Sequence, residues 1–326
     1  MDITLDKICG IINSNKTFSI YAHINTDIDA VGSTLALKRA LEKKGKIAHV
    51  FIDSTFPSNT NMFTDVAKIN NEKQKEYDIC FVLDCADENR LGRLKYKYRK
   101  NVKNVVCIDH HLNNGFNLKN KYVDNNVSST CEIIFNLIKK LGFEFDAEIC
   151  KLLISGMYTD TGALKFSNTY PSSFRAAAEL LEKSGLYMDQ ISMPLFNSLS
   201  IESYNLRKLA YNRLKLYEND MVAIITLLAD DFDELKVAFD ETKGITDIGM
   251  QLNSVKIVVL ITEDNRERGV YHMSFRTKDN YDARAIAEEF GGGGHLKASG
   301  CKVADSLDHT LELVLKAVKK EIDKKC

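Results

Sequence analysis

The stretch TFSIYAHINTDIDAVGSTLALKRALEKKG, residues 17–45, decides the fold of this chain. Its apolar start, Thr17–Ala22, predicts a buried strand, because short apolar runs with few charges are typical of strands covered on both faces. Ala30–Lys43 then has apolar residues at helical spacing, and Gly45 is typical of a helix end. A strand that leads directly into a helix is the repeating unit of a parallel α/β sheet.

The same alternation continues through the first half of the chain. Further strands and helices are predicted at Lys46–Ile52, Ile79–Leu83, Val105–Ile108, Thr130–Leu141, Ala147–Tyr158 and Ser173–Lys183. We therefore predict a doubly wound, parallel-sheet α/β domain over residues 1–190.

The second half predicts a smaller domain of a different kind. Ile201–Leu216 reads as a connecting helix in a linker over residues 191–215. Beyond it, strands and helices are predicted at Met221–Leu227, Lys256–Ile261, Val270–Phe275, Asp282–Glu289 and Leu307–Ile322. This pattern predicts a second, smaller α+β domain over residues 216–326, and a length of 326 residues suits two domains.

Composition limits the class of ligand and the compartment. A net charge of -1 argues against a protein that grips long duplex nucleic acid, because such proteins neutralise many phosphates with excess Lys and Arg. No apolar run reaches the roughly 18 residues of a membrane helix, and the N-terminus lacks a signal-peptide pattern. The 8 cysteines form no C-x-x-C pair. These features predict a cytoplasmic protein without a membrane partner.

Metal-ligating side chains occur in four clusters of the first domain, where the predicted strands stop. They are His23, Asp27, Asp29, Asp84, His110 and Asp160. Because the carboxyl ends of parallel strands meet at one crevice, these side chains are expected to converge. Imidazole and carboxylate together suit Mn²⁺, with Mg²⁺ or Co²⁺ as substitutes. Four carboxylates favour two metal ions over one, since a metal pair needs bridging and compensating anions.

Each acidic residue also has an ordinary structural alternative. Asp27 or Asp29 can cap the helix that follows, and Asp84 and Asp160 are typical of turns. Aspartate and histidine side chains occur together at the ends of several predicted strands. This favours one metal site over four separate structural roles.

These clusters closely resemble the DHH phosphoesterase family. The motifs that carry the resemblance are His23-x-x-x-Asp27-x-Asp29, Asp84, the name-giving Asp109-His110-His111, Asp160, and Gly291-Gly292-Gly293-Gly294-His295 followed by Ala298-Ser299-Gly300. The last of these resembles the signature of the associated DHHA1 domain. Together the motifs cover residues 23–300, nearly the whole chain.

The resemblance implies a role for each residue. The implied metal ligands are His23 and Asp27 for the first ion, Asp29, His110 and Asp160 for the second, and Asp84 for both. Asp109 would orient an imidazole from the outer shell, and His111 would face the substrate to stabilise charge or assist proton transfer. In the family, water activated between the two metals attacks phosphorus.

The second domain is expected to hold the substrate. Consecutive glycines allow the backbone to approach an anion closely, so Gly292, Gly293 and Gly294 are candidate substrate contacts, with a plain flexible loop as the alternative. Arg276 is suited to bidentate phosphate binding. The resemblance pairs Arg276 with His295, and this chain has Thr277 where the family commonly has serine. We expect a short substrate in a cleft that opens about the linker.

The family includes several activities that these motifs do not separate. The preferred hypothesis is a hydrolase of short oligoribonucleotides (nanoRNA, pApA) that also dephosphorylates 3′-phosphoadenosine 5′-phosphate (pAp). There are three alternatives: a cyclic di-AMP phosphodiesterase, a manganese inorganic pyrophosphatase and a non-catalytic nucleotide sensor. The pyrophosphatase shares the first-domain motifs. The complete ligand set favours an enzyme over the sensor, and the resemblance also allows a homodimer.

Overall fold

The computed structural model describes residues 3–56, 58–71, 76–112, 114–196, 199–242 and 244–324, without the side chains of Ser58, Asp240 and His295. The chain divides into two compact units, Met1–Ser198 and Leu199–Cys326. In the part of the chain described, no helix has the length and apolar character needed to cross a membrane.

The first unit is built on a five-stranded parallel sheet. Its strands are β1 (Thr17–Tyr21), β2 (Ile47–Phe51), β3 (Tyr77–Leu83), β4 (Val102–Asp109) and β5 (Asn120–Val123). Its helices are α1 (Leu5–Ser14), α2 (Ile28–Lys43), α3 (Thr130–Lys140), α4 (Ala147–Asp160), α5 (Pro171–Ser184) and α6 (Asp189–Phe196). The strand order is β2-β1-β3-β4-β5, so the chain reverses its direction of winding between β1 and β3. Ligand sites of open parallel sheets lie at such a switch point.

Burial explains why the stretch at residues 17–45 folds as predicted. Phe18 and Ile20 of β1 are fully buried, and α2 is buried along most of its length between the sheet, α3 and α4. Gly32 permits this packing, because a Cβ there would lie 2.6 Å from the carbonyl oxygen of Leu152 in α4. The helices therefore pack tightly against the sheet directly beside the strand ends.

The opposite face of the sheet is covered by a 3-10 segment, Glu88–Tyr96, and the residues after it. This second core includes Tyr21, Cys80, Tyr98 and Phe116. The cysteines that the structure describes are free thiols, and those of this face are buried.

The second unit is a six-stranded mixed sheet with helices on both faces. Its strands are β6 (Lys215–Tyr217), β7 (Val222–Leu227), β8 (Ile257–Glu263), β9 (Val270–Thr277), β10 (Gly293–His295) and β11 (Ala298–Ala304). Its helices are α7 (Ile201–Arg213), α8 (Ala229–Leu235), α9 (Thr246–Met250), α10 (Ala283–Glu288) and α11 (Leu307–Asp323). The order is β10-β11-β9-β8-β7-β6, with only β7 and β8 parallel among the described pairs.

Two apolar layers hold this sheet. Helices α10 and α11 cover one face, and α7, α8 and α9 cover the other. Helix α7, which falls within the predicted linker, packs on the sheet through the buried side chains of Leu206 and Ala210. The two sheets confirm the predicted fold class, a parallel α/β domain with a smaller α+β domain. Short elements such as β6, β10 and α9 were not predicted, because three to five residues give too little periodicity to detect.

Gly156 in α4 provides a test of this packing. A Cβ at Gly156 would overlap the Cys131 sulfur and lie 2.8 Å from Asp29 Oδ1, so Gly156→Ala is expected to lower the free energy of unfolding by about 1–3 kcal/mol through overpacking. Gly10→Ala, in the exposed part of α1 with open space around it, is the matched control and should stabilise by about 0.5–1 kcal/mol. Urea denaturation measures both, and a stabilised Gly156→Ala protein would contradict the packing.

Candidate metal centre

Asp84 directly follows β3 and has an unusual backbone conformation. Its φ of 52° is in the left-handed region, which Asp tolerates better than most residues, and its N–H donates to the Ile108 carbonyl of β4 at 3.1 Å. This turn directs a carboxylate that is 2% exposed into the crevice beyond the strand ends.

The first cluster of ligand groups is formed by His23, Asp27 and Asp84. His23 Nε2 lies 3.6 Å from Asp27 Oδ2 and 3.5 Å from Asp84 Oδ2. His23 follows β1, and Asp27 is the N-cap of α2, where its Oδ1 accepts from Ala30 N at 3.0 Å. The predicted first-metal ligands are therefore within reach of one ion.

The second cluster is formed by Asp84, His110 and His111. His110 Nε2 lies 3.6 Å from Asp84 Oδ1 and 3.7 Å from Asp160 Oδ2, which brings the end of α4 to the same place. His111 Nδ1 lies 3.7 Å from Asp84 Oδ1. Asp84 thus presents one oxygen to each cluster, an arrangement suited to a ligand shared by two ions.

Asp29 lies beside the clusters but is held differently from the prediction. Its two oxygens accept hydrogen bonds from Thr130 N at 2.8 Å and Cys131 N at 2.9 Å, the first residues of α3. Among the described residues it belongs to neither three-residue cluster. Burial and the charges of Asp84 and Asp160 raise its pKa, which shows that it shares their electrostatic environment. Its role as a direct ligand stays a prediction.

Asp109 is fully buried and orients the histidine that follows it by two residues. Its Oδ1 accepts from His111 Nδ1 at 2.7 Å, and its Oδ2 accepts from Asn114 Nδ2 at 2.7 Å. Burial alone would raise the pKa of Asp109, but the His111 hydrogen bond lowers it. Asp109 therefore stays ionised and fixes the ring of His111, in agreement with the orienting role that the resemblance implies.

The remaining pKa shifts describe a crowded negative site. Burial lowers the pKa of His23, but hydrogen bonds to Asp27 and Asp84 outweigh burial and raise it to about 10. The Asp109 hydrogen bond likewise outweighs burial and raises the pKa of His111 to about 9. Burial and the charges of Asp84 and Asp27 raise the pKa of Asp160 to about 7. Carboxylates that hold protons because burial and neighbouring negative charges disfavour their ionised form are suited to exchanging those protons for a cation.

The donor set fits a divalent cation. It combines imidazole nitrogens with several carboxylates, which are the ligand types that first-row divalent metals accept. Divalent charge would also relieve the repulsion that the raised pKa values of Asp29 and Asp160 record. His23, Asp27, Asp84, His110 and Asp160 are the residues that would hold it.

Several residues of the site were missed from the sequence. Thr130 Oγ1 donates to Asp84 Oδ1 at 3.1 Å, Asn168 Nδ2 donates to Asp160 Oδ2 at 3.3 Å, and Arg90 Nη2 lies 3.1 Å from His23 Nδ1. Thr130 belongs to a Ser-Ser-Thr run, a pattern typical of a helix cap, and Ser129 does cap α3. No local pattern distinguishes Asn168 or Arg90 from surface residues.

The predicted substrate residues lie around β9, β10 and β11 of the second unit. The glycine-rich segment forms a hairpin rather than an open nest, because Gly293–His295 pairs with Ala298–Gly300. A Cβ at Gly292 would overlap the backbone of Gly300, and one at Gly294 would lie 2.7 Å from the Ala298 carbonyl, so both glycines are needed for close strand approach.

Arg276 lies beside this hairpin in β9, opposite Ala298. Burial lowers the pKa of Arg276, which stays positively charged at neutral pH. Thr277 is buried, and its hydroxyl donates to the Tyr281 carbonyl at 2.8 Å, so it fastens the strand to the next turn. The side chain of His295 lies outside the described residues, and its predicted role is untested.

Comparison with known proteins decides the family. Residues 17–157 match the DHH family, N-terminal domain, and residues 208–324 match the DHHA1 domain. The bifunctional oligoribonuclease and PAP phosphatase NrnA of Thermus thermophilus is 30% identical over 315 residues, which cover 93% of this chain and 89% of that protein. The chain belongs to the DHH family. The resemblance inferred from its motifs is confirmed.

A second relative is similar in sequence, and a solved structure is similar in fold. The bifunctional oligoribonuclease and PAP phosphatase NrnA of Bacillus subtilis is 24% identical over 298 residues, covering 90% of this chain and 91% of that protein. The crystal structure of an exopolyphosphatase-related protein from Bacteroides fragilis superposes with a TM-score of 0.89 at 24% identity, covering 97% of this chain and 95% of that one. That likeness shows a shared fold.

The raised pKa values predict how the metal-free DHH protein responds to pH. Asp160 titrates near 3.8 when unfolded and at about 7 when folded, so the folded state holds more protons in this window and the free energy of unfolding falls as pH rises through it. His23 and His111, raised from 6.5, contribute stability that is complete below pH 6.5 and is lost as pH rises toward about 10. Carboxyls with lowered pKa values titrate below the window.

Urea unfolding of chelator-treated protein at several values from about pH 5 to about pH 9 measures this loss. Asp160→Asn should flatten the decline below about pH 7, where Asp160 titrates. Saturating divalent metal should reduce the whole decline, because metal replaces the protons. Stability that rises with pH in the metal-free protein would contradict the assignment.

Proposed function

We propose that this protein is a phosphoesterase that uses two divalent metal ions, preferably Mn²⁺, to hydrolyse short oligoribonucleotides to mononucleotides and to dephosphorylate pAp. The observation that carries the proposal is the position of Asp84, whose two oxygens face two separate groups of ligands. The relatives from Thermus thermophilus and Bacillus subtilis, which are named as oligoribonuclease and PAP phosphatase, supply the substrate class. The near-neutral net charge agrees with a short ligand held at few points.

The side chains of the centre divide the chemistry among them. His23 and Asp27 would hold one ion, His110 and Asp160, with Asp29, would hold the other, and Asp84 would be shared by both. Bound divalent ions would lower the pKa of water and neutralise charge on the phosphoryl oxygens. His111 keeps a proton on Nδ1 for Asp109, so its Nε2 is the atom left to donate to an oxygen of the substrate. Its side chain is 33% exposed, which leaves it accessible to a ligand.

The alternatives use the same centre and are separated by substrate. Cyclic di-AMP hydrolysis needs the same attack on a phosphodiester, and pyrophosphate hydrolysis needs no base-binding residues. The similarity over most of the chain to relatives named as oligoribonuclease and PAP phosphatase favours a nucleotide substrate over pyrophosphate.

A substrate panel with added Mn²⁺ tests the function. We expect turnover of pAp, pApA and RNA of two to five nucleotides, with slower turnover of longer RNA, cyclic di-AMP and pyrophosphate. Asp84→Asn should reduce turnover by about 10³-fold, equivalent to about 4 kcal/mol of transition-state stabilisation, because both metals lose a ligand. Asp6→Asn, which changes an exposed carboxylate of α1 paired with Lys140, is the matched control. Preference for pyrophosphate or cyclic di-AMP would replace the proposal with that alternative.

Two substitutions in the glycine hairpin distinguish a packing role from a substrate contact. Among the described residues no atom lies within 4 Å of a Cβ built on Gly293, whereas one on Gly292 would overlap β11. Gly292→Ala should therefore lower the melting temperature. Gly293→Ala should leave it within about 1–2 °C and raise KM for pAp, since an added methyl blocks approach of the ligand to the backbone. An unchanged KM for Gly293→Ala would remove the hairpin from the substrate site.

A further inference from the structure

Arg90 brings a cationic side chain to the metal centre from the 3-10 segment Glu88–Tyr96. Its carbonyl accepts a hydrogen bond from Ile24 N at 2.6 Å, so its backbone is fastened to the loop directly after His23. Its Nη2 lies 3.1 Å from His23 Nδ1. The guanidinium is thus held beside a predicted metal ligand by a contact of its own backbone.

Arg90 differs from the nearby arginines Arg93 and Arg99, which each have an acidic partner. Arg93 pairs with Asp53, and Arg99 lies 3.5 Å from Glu88. Arg90 is partly buried, yet the residues described place no carboxylate at ion-pair distance from it. Asp27 feels the charge of Arg90 without an ion-pair contact to it. A partly buried guanidinium without such a contact is suited to binding an anion, because arginine stays ionised and burial weakens its hydration.

The hydrogen bonds of His23 show which state leaves Arg90 available. His23 Nδ1 also lies 2.6 Å from the Ile24 carbonyl, which can only accept, so this contact requires a proton on Nδ1. That tautomer leaves the Nε2 lone pair, 3.5 Å from Asp84, for a metal. Nδ1–H then cannot accept from Arg90, and a guanidinium has no acceptor of its own. In the metal-binding state, the N–H donors of Arg90 are therefore released from His23.

We propose that Arg90 binds a phosphate group of the substrate beside the metal ligands. This inference rests on the phosphoesterase function proposed above and adds a recognition residue from the first unit to it. Its planar guanidinium can donate two parallel hydrogen bonds to phosphate oxygens, and such charge-assisted pairs are stronger than neutral ones. A substrate phosphate would be the anionic partner that Arg90 lacks, and it would lie next to His23 and Asp84.

Phosphate binding tests the assignment without requiring turnover. Inorganic phosphate is titrated calorimetrically into manganese-loaded wild-type protein, Arg90→Gln and Arg93→Gln, the last being an exposed arginine three residues away. Arg90→Gln should weaken phosphate binding about tenfold or more, the usual loss for a hydrogen bond to a charged group, while Arg93→Gln should not change it. Equal binding by Arg90→Gln, or no phosphate binding by the wild type, would overturn the assignment. Failure on the nucleotide panel would leave this measurement interpretable.

Kinetics and metal content show whether Arg90 contacts the substrate or only positions His23. Arg90→Gln should retain the manganese content of the wild type and lower kcat/KM for pAp by about 10–100-fold. Loss of bound manganese in that variant would assign Arg90 to positioning His23 and overturn the proposal. Should Arg90→Gln fail to fold, Arg90→Lys decides, because it keeps the charge but loses the planar fork. Wild-type phosphate affinity in Arg90→Lys would then contradict bidentate binding.

Discussion

The burial of several carboxylates at one edge of a single sheet is the constraint on which the rest of the site depends. Asp29, Asp84 and Asp109 are at most 2% exposed, and an ionised carboxylate is strongly destabilised in such surroundings unless it is paired. Each has a different compensation: the backbone N–H groups that begin α3 for Asp29, histidines for Asp84, and His111 with Asn114 for Asp109. The compensation of Asp29 is incomplete, as its raised pKa shows, and a divalent cation nearby would supply the missing positive charge.

The architecture of the first unit follows from the need to bring these groups together. The parallel order of β1, β3 and β4 aligns their carboxyl ends, so residues 23, 84 and 110 meet although they are far apart in sequence. The close packing of α2, α3 and α4 then delivers side chains from helix ends. Gly156 is essential to that packing, since it leaves room for both Cys131 and the Asp29 carboxylate. Helix packing and site geometry are therefore two consequences of the same contacts.

The sequence predicted the convergence of the candidate ligands better than their surroundings. The convergence of His23, Asp84 and His110 was predictable, because each follows the end of an apolar run, and the ends of parallel strands share an edge of the sheet. The roles of Thr130, Asn168 and Arg90 were not predictable, because their importance comes from a partner between 8 and 67 residues away that no local pattern reveals. The glycine-rich segment was identified from the sequence, but the structural need for each glycine was not. The sequence does not distinguish a glycine required for close strand approach, such as Gly292, from Gly293, which has open space around it.

Asp27 can cap a helix and be a candidate metal ligand at the same time. A carboxylate has two oxygens, and Asp27 uses Oδ1 to cap α2 while Oδ2 faces His23 Nε2 at 3.6 Å. Capping fixes the side chain in one orientation, so the free oxygen is already directed when a cation arrives and less conformational entropy is lost on binding. Asp29 differs, because both of its oxygens accept hydrogen bonds from the N-terminus of α3. Capping of α2 by Asp27 is therefore compatible with a metal site there, because the cap holds the free oxygen in a fixed position.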